Sequence, residues 1–156
     1  MILFAGAIKG RSHHPYIYAI IKSYCLYIGE TQQHPVSRWG QHLQEIGSFS
    51  KRLREADEDL WTLNEEIAFL CIDCREIAKL SPEEHKIVTQ YVEHKVHEKC
   101  ILNLPRLSPI ERIISDTSRT APSRCRYPWG DDVAEMIYKQ IMDYATHQIS
   151  HHAGSS

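Results

Sequence analysis

The stretch Tyr16-Ile17-Tyr18-Ala19-Ile20-Ile21-Lys22-Ser23-Tyr24-Cys25-Leu26-Tyr27-Ile28-Gly29 decides the fold. Two β-branched and aromatic runs flank a short polar interruption, the pattern of a β-hairpin. A turn centred on Lys22-Ser23 sets Tyr18 directly opposite Tyr27, with both side chains on one face of the sheet. Lys-Ser is not a pair that favours the tightest hairpin turns, so this register rests on the lengths of the two runs. Before the hairpin, residues 2–8 read as a short strand and Arg11 to Pro15 as a polar break.

Beyond the hairpin, Pro35 opens a helix from Val36 to about Ile46, with Gly47 as its stop. A second helix or turn covers Phe49 to Asp59. Residues 67–74, Ile-Ala-Phe-Leu-Cys-Ile-Asp-Cys, read as a buried strand. Ser81-Pro82-Glu83-Glu84 starts another helix, with Ser81 as N-cap, Pro82 at the first position and Glu84 completing a capping box. That helix runs to about Cys100. A short helix is expected over 109–115 and a Ser-, Thr-, Pro- and Arg-rich loop over 116–130. A last helix spans Asp131 to His147, its apolar stripe being Val133, Met136, Ile137, Ile141 and Tyr144. The order strand, hairpin, helices, strand, helices gives an α+β fold: a small, mainly antiparallel sheet flanked by helices, with an extra C-terminal helix. Residues 1–115 form the domain, 116–130 a basic loop, 131–150 an amphipathic helix packed on the domain or on a partner, and 151–156 a frayed tail.

The chain of 156 residues can bury a core of its own. Eighteen basic residues against 20 acidic ones give a formal charge of −2, so the overall balance does not announce a nucleic-acid binder. Ten histidines would carry the charge to about +8 in mild acid. Five cysteines, an odd count spread along the chain, do not make a disulfide framework and point to reduced thiols in the cytoplasm. The apolar N-terminal run is too short for a signal peptide or a membrane span.

At Tyr16-Ile17-Tyr18, Tyr27-Ile28-Gly29 and Ser37-Arg38-Trp39-Gly40-Gln41-His42-Leu43 the sequence resembles the GIY-YIG nuclease superfamily. The two tyrosine triplets, then an Arg and a His one turn apart on a helix, follow the family's order. The resemblance covers residues 16 to about 103. Tyr16 departs from it, standing where the family has its first Gly, and the spacer between the triplets is slightly short. Taken singly, Tyr18 with Tyr27 is a cross-strand aromatic pair, Arg38 a surface arginine and Glu84 a capping residue; it is the ordered set that carries the resemblance.

The resemblance implies a metal-dependent nuclease, with a Glu on a later helix holding one Mg²⁺ or Mn²⁺. Two glutamates compete. On a helical wheel Glu84 falls among Ile87, Val88, Tyr91 and Val92, whereas Glu93 falls on the opposite side. That reasoning selects Glu84, although Asn103, resembling a late family Asn, sits farther from Glu84 than usual and keeps Glu93 open. A hard ion on one carboxylate and waters suits Mg²⁺. Arg38 would neutralise charge at the scissile phosphate. Tyr18 or Tyr27 would position or deprotonate the attacking water, with help from the ion or Arg38 because tyrosine titrates near pH 10. His42 would bind phosphate or share the base role.

Other features have plainer readings. Cys71-x-x-Cys74 and His94-x-x-His97-x-x-Cys100 have zinc-like spacings, but two cysteines three apart on a strand face opposite sides. Buried thiols and surface histidines are the default. Lys51 and Arg52 form one basic cluster, and Arg119, Arg124 and Arg126 another; each is a solvated charge run or a phosphate-tracking surface. The implied partner is nucleic acid, DNA ahead of RNA, with no membrane; a homodimer or a partner protein could supply DNA affinity. The alternative is a catalytically silent module of the same fold that binds nucleic acid or protein.

Overall fold

The computed structural model describes residues 9–61, 66–117, 123 and 125–152. The expected strand at 2–8 lies outside them. Four strands form one sheet in the order β3-β1-β2-β4: β1 (His13–Lys22), β2 (Cys25–Gln33), β3 (Ala68–Asp73) and β4 (Arg112–Ile113). β1 is antiparallel to both β2 and β3, and β4 is parallel to β2. The helices are α1 (Pro35–His42), α2 (Ser48–Ala56), α3 (Pro82–Leu102) and α4 (Gly130–His152). The fold is therefore the expected α+β arrangement.

The hairpin register differs from expectation by two residues. Lys22 faces Cys25 and Tyr18 faces Gly29, so Tyr27 lies opposite Ile20. The turn falls on Ser23-Tyr24 because Ser23 adopts the left-handed conformation at φ 52°. A slip of two keeps every side chain on its face, whereas a slip of one would invert them. Tyr18 and Tyr27 thus still share a face, as diagonal rather than direct neighbours. Gly29 makes the register fit: a Cβ there would come within 2.4 Å of the Tyr18 ring.

Alternation along β1 builds two cores. Ile17, Ala19 and Ile21 join Leu26, Ile28 and Ile72 against α3 and α4, through Val88, Val92, Val96, Val133, Ile137 and Ile141. On the other face Tyr18 and Ile20 pack with Phe49 and Leu53 of α2, with Trp39 of α1 and with Leu43 just after it. Each fully buried aliphatic side chain contributes about 1.5–3 kcal/mol by burial. α4 shares the first core, and Lys99 of α3 pairs with its Glu135 at 2.7 Å. Met136 turns outward, 45% exposed, while Ala134 and Tyr138 complete the buried stripe.

Two elements differ from their sequence reading. α1 ends at His42 rather than near Ile46, and the chain turns at once into α2. The helix expected over 109–115 is instead strand β4. The edge of β2 offers unpaired backbone groups there, and Glu111, Arg112 and Ile114 donate their amides to Tyr24 and Leu26 carbonyls.

Candidate active site

The Tyr18 hydroxyl and His42 Nε2 lie 2.6 Å apart, both in residues almost wholly shielded from solvent. β1 delivers the tyrosine and the last turn of α1 delivers the histidine. The Tyr18 and Tyr27 rings stack with centroids 6.5 Å apart, and the His42 ring meets Tyr27 edge-on at 4.9 Å. Phe49 closes the far side of Tyr27 at 6.0 Å. Arg38, one turn before His42, bonds Gln41 Oε1 at 2.8 Å and acts electrostatically on both tyrosines.

Burial dominates the acid–base character of this cluster. It lifts Tyr18 well above the ordinary tyrosine value, Tyr27 adds to the rise, and Arg38 opposes it. Tyr27 is raised for the same first reason and by Glu93, against Arg38, a Ser48 hydrogen bond and Arg52. His42 is pushed down to about 4, by burial first and by the Arg38 charge second. At neutral pH both phenols hold their protons and the imidazole is uncharged.

The buried glutamate that acts electrostatically on this cluster is Glu93. It is only 8% exposed, and its carboxylate raises both tyrosines. Burial and then the neighbouring Glu30 push Glu93 itself up to about 8. Among the described residues no cation or hydrogen-bond donor offsets that burial.

Glu84 is placed elsewhere. Its carboxylate receives the Tyr127 hydroxyl at 2.7 Å, the Ser81 hydroxyl at 2.9 Å and the Arg126 guanidinium. Those three bonds, in that order of effect, hold it at about 2. The expected capping box is thus a side-chain bridge, since Ser81 makes no side-chain bond to the helix backbone. Glu93 is buried, against the helical-wheel expectation, because the buried arc of α3 is far wider than one apolar stripe. Thr89, Glu93 and His97 are buried along with Val88, Tyr91, Val92 and Val96. This second, polar stripe runs beside β2: Gln32 donates to Thr89 at 3.2 Å, and His97 meets Ser115 at 3.3 Å. The i, i+4, i+8 spacing of Thr89, Glu93 and His97 was the available signal. Glu30, directly after Tyr-Ile-Gly, was the other residue passed over.

Arg119 and Arg124 lie outside the described residues. Arg126 is tied to Glu84 and lies over the Tyr127 ring at 5.5 Å. Lys51 reaches Glu55 at 4.0 Å, and Arg52 pairs with Glu55 and Asp116 while also influencing Tyr27. Cys71 and Cys74 do face opposite sides of the sheet. Cys71 lies across from Tyr18, and Cys74 packs in the helical core. Burial raises both thiols to about 12, so neither is a nucleophile at neutral pH. His97 is buried rather than on the surface. Asn103 caps α3, donating to the Lys99 carbonyl at 2.8 Å.

A family model, the GIY-YIG catalytic domain, matches residues 14–87. Residues 14–87 of the chain are a GIY-YIG domain. The matched stretch holds both tyrosine triplets, Arg38, His42 and Glu84, and stops six residues short of Glu93. Comparison with curated proteins and with solved structures gave no match. That domain carries a nuclease-type function and an interaction with nucleic acid for this GIY-YIG chain. No described helix is long and apolar enough to cross a membrane.

Proposed function

We propose that this GIY-YIG chain is a metal-dependent endonuclease that hydrolyses phosphodiester bonds, in DNA ahead of RNA. The observation that carries the reading is the packing of Tyr18, Tyr27 and His42 into one cluster under the charge of Arg38, with the buried Glu93 acting electrostatically on both tyrosines. A carboxylate with a second one nearby and no cation against it suits a hard divalent ion such as Mg²⁺ or Mn²⁺, so the residues present fit the group. Glu93 would hold the ion, with Glu30 close by. When bound, such an ion acidifies coordinated water and stabilises the leaving alkoxide.

The chain's own residues do the rest. Arg38 presents its guanidinium to the scissile phosphate and takes up the charge that develops in the transition state. Tyr18 and Tyr27 keep their protons and orient the attacking water through their hydroxyls. His42 is a poor base for Tyr18: the two are separated by many pKa units, each worth about 1.4 kcal/mol. It acts instead as a positioning residue, fixing the Tyr18 hydroxyl rotor from 2.6 Å. Phe49, Leu53 and Trp39 keep that end of the site dry.

With a net charge of −2, non-specific affinity should be weak and strongly salt-dependent, leaving room for a dimer or partner protein to add binding surface. Five free cysteines suit a cytoplasmic setting. The test is incubation of labelled DNA and RNA with the protein in Mg²⁺ or in EDTA, beside Arg38→Ala. Cleavage only in Mg²⁺, lost in Arg38→Ala, supports the reading. Binding without cleavage under any divalent ion would favour the silent module instead.

A further inference from the structure

Beside the tyrosine site, on the same face of the sheet, runs a groove of about 830 Å³. Its floor is Tyr16, two residues before Tyr18 on β1, and Cys71, the cross-strand neighbour of Tyr18. A two-residue step along a strand is about 7 Å, so the groove begins next to the proposed scissile position. Lys9, Arg11, Arg75 and Lys79 all line it. Among the described residues the only carboxylate lining it is Asp73, which is already engaged by His14 and by Arg75 at 3.1 Å. Lys79 is held by Glu76 at 2.7 Å. Lys9 and Arg11 are exposed and make no ion pair among the described residues.

The lip carrying Lys9 and Arg11 is a built feature. The Tyr16 hydroxyl accepts the Arg11 amide at 2.7 Å and lies 3.1 Å from the Arg11 carbonyl, to which it donates. His34 Nε2 meets the Lys9 carbonyl at 3.1 Å. Gly10 between them has φ 137°, and a Cβ there would come within 2.8 Å of the Tyr16 oxygen. Tyr16 is the residue that departs from the family's first Gly. Its ring is buried against His14, at 5.1 Å, and faces His34 at 6.2 Å. A glycine could not anchor this segment, so the departure gives the chain a fixed cationic edge.

We propose that this groove is a phosphate-tracking subsite that holds the sugar–phosphate backbone of the nucleic-acid strand flanking the phosphate at Tyr18, with Tyr16 as the residue that positions its Lys9–Arg11 lip. Several cations lining one channel, whose carboxylate is already neutralised, recognise a polyanion by its charge and spacing rather than its bases. The proposal rests on the nuclease reading for the direction of the strand, but its binding step does not need cleavage.

The test is fluorescence anisotropy of a labelled single-stranded oligonucleotide with the full chain in EDTA, across a salt titration. Wild type is compared with Lys9→Ala/Arg11→Ala, with Tyr16→Phe, and with Lys139→Ala as a charge control on α4. The double variant should bind at least about tenfold more weakly and show a salt slope lower by about two phosphate contacts' worth. Tyr16→Phe keeps the ring but frees the lip, and should weaken binding about threefold. Lys139→Ala should match wild type. Circular dichroism checks that the fold is kept. Cleaving wild type with unchanged affinity and slope in the double variant would overturn the subsite and leave the nuclease reading standing. Groove-dependent binding without any cleavage would do the reverse. No binding by wild type would also overturn the subsite.

Discussion

Tyr18 lies directly across the β1–β2 ladder from Gly29, and its ring fills the space that a Cβ at Gly29 would need. The tyrosine of one triplet therefore depends on the glycine of the other. Gly29→Ala should displace the ring, cost about 1–3 kcal/mol from overpacking, and break the Tyr18–His42 bond. Urea unfolding reads the first effect. Cleavage assays on the same sample should show a loss comparable to that of Tyr18→Phe.

The Tyr18–His42 pair gives a second prediction. If His42 only orients the hydroxyl, His42→Ala should lower kcat by about tenfold to a hundredfold, and adding imidazole should not restore it. Tyr18→Phe should cost more, on the order of 10² to 10⁴, as for a group that acts on the water itself. In the double variant the two losses should not add, because both act through one hydroxyl. Additive losses would separate the two roles.

Stability should fall on the acid side. His42 and His97 are each held at about 4 by burial, against 6.5 when unfolded. A folded-state value below the unfolded one means that the unfolded chain takes the proton first. The stability these neutral rings confer is present above pH 6.5 and is lost as pH falls towards 4. Each contributes on the order of 3 kcal/mol. Urea midpoints at pH 7, 5.5 and 4.5 should decline steadily. Glu93, raised to about 8 by burial, opposes the decline because the folded chain takes its proton first, so His97→Gln should abolish the decline; an unchanged slope would mean that His97 is not titrating as described.

This also revises what the ten histidines mean. Composition alone allowed a large charge gain in mild acid, but two of the rings are buried and take up their protons readily only on unfolding. The hairpin, α1, β3, α3 and α4 were legible because each carries its own period, cap or turn residue. The register of the hairpin was not, because Ser23 takes a left-handed turn that serine does not advertise. β4 was hidden for a different reason: two residues become a strand only because β2 leaves an edge beside them. The site divides the same way. Tyr18, Tyr27, Arg38 and His42 could be placed from spacing, since all sit on elements with a clear face. The helical wheel ranks Glu84 above Glu93 because it assumes that only apolar residues face inward. α3 buries a polar stripe of Thr89, Glu93 and His97 as well.

The most direct test of the account compares Mg²⁺-dependent cleavage by wild type, Glu93→Gln and Glu84→Gln on one labelled DNA substrate, with folding checked by circular dichroism. Glu93→Gln should reduce the rate at least about a hundredfold, as expected for loss of a metal-holding group. Glu84→Gln, which removes a charge engaged with Ser81, Tyr127 and Arg126, should stay within a few-fold of wild type. Loss of cleavage in Glu84→Gln with full activity in Glu93→Gln would contradict the account.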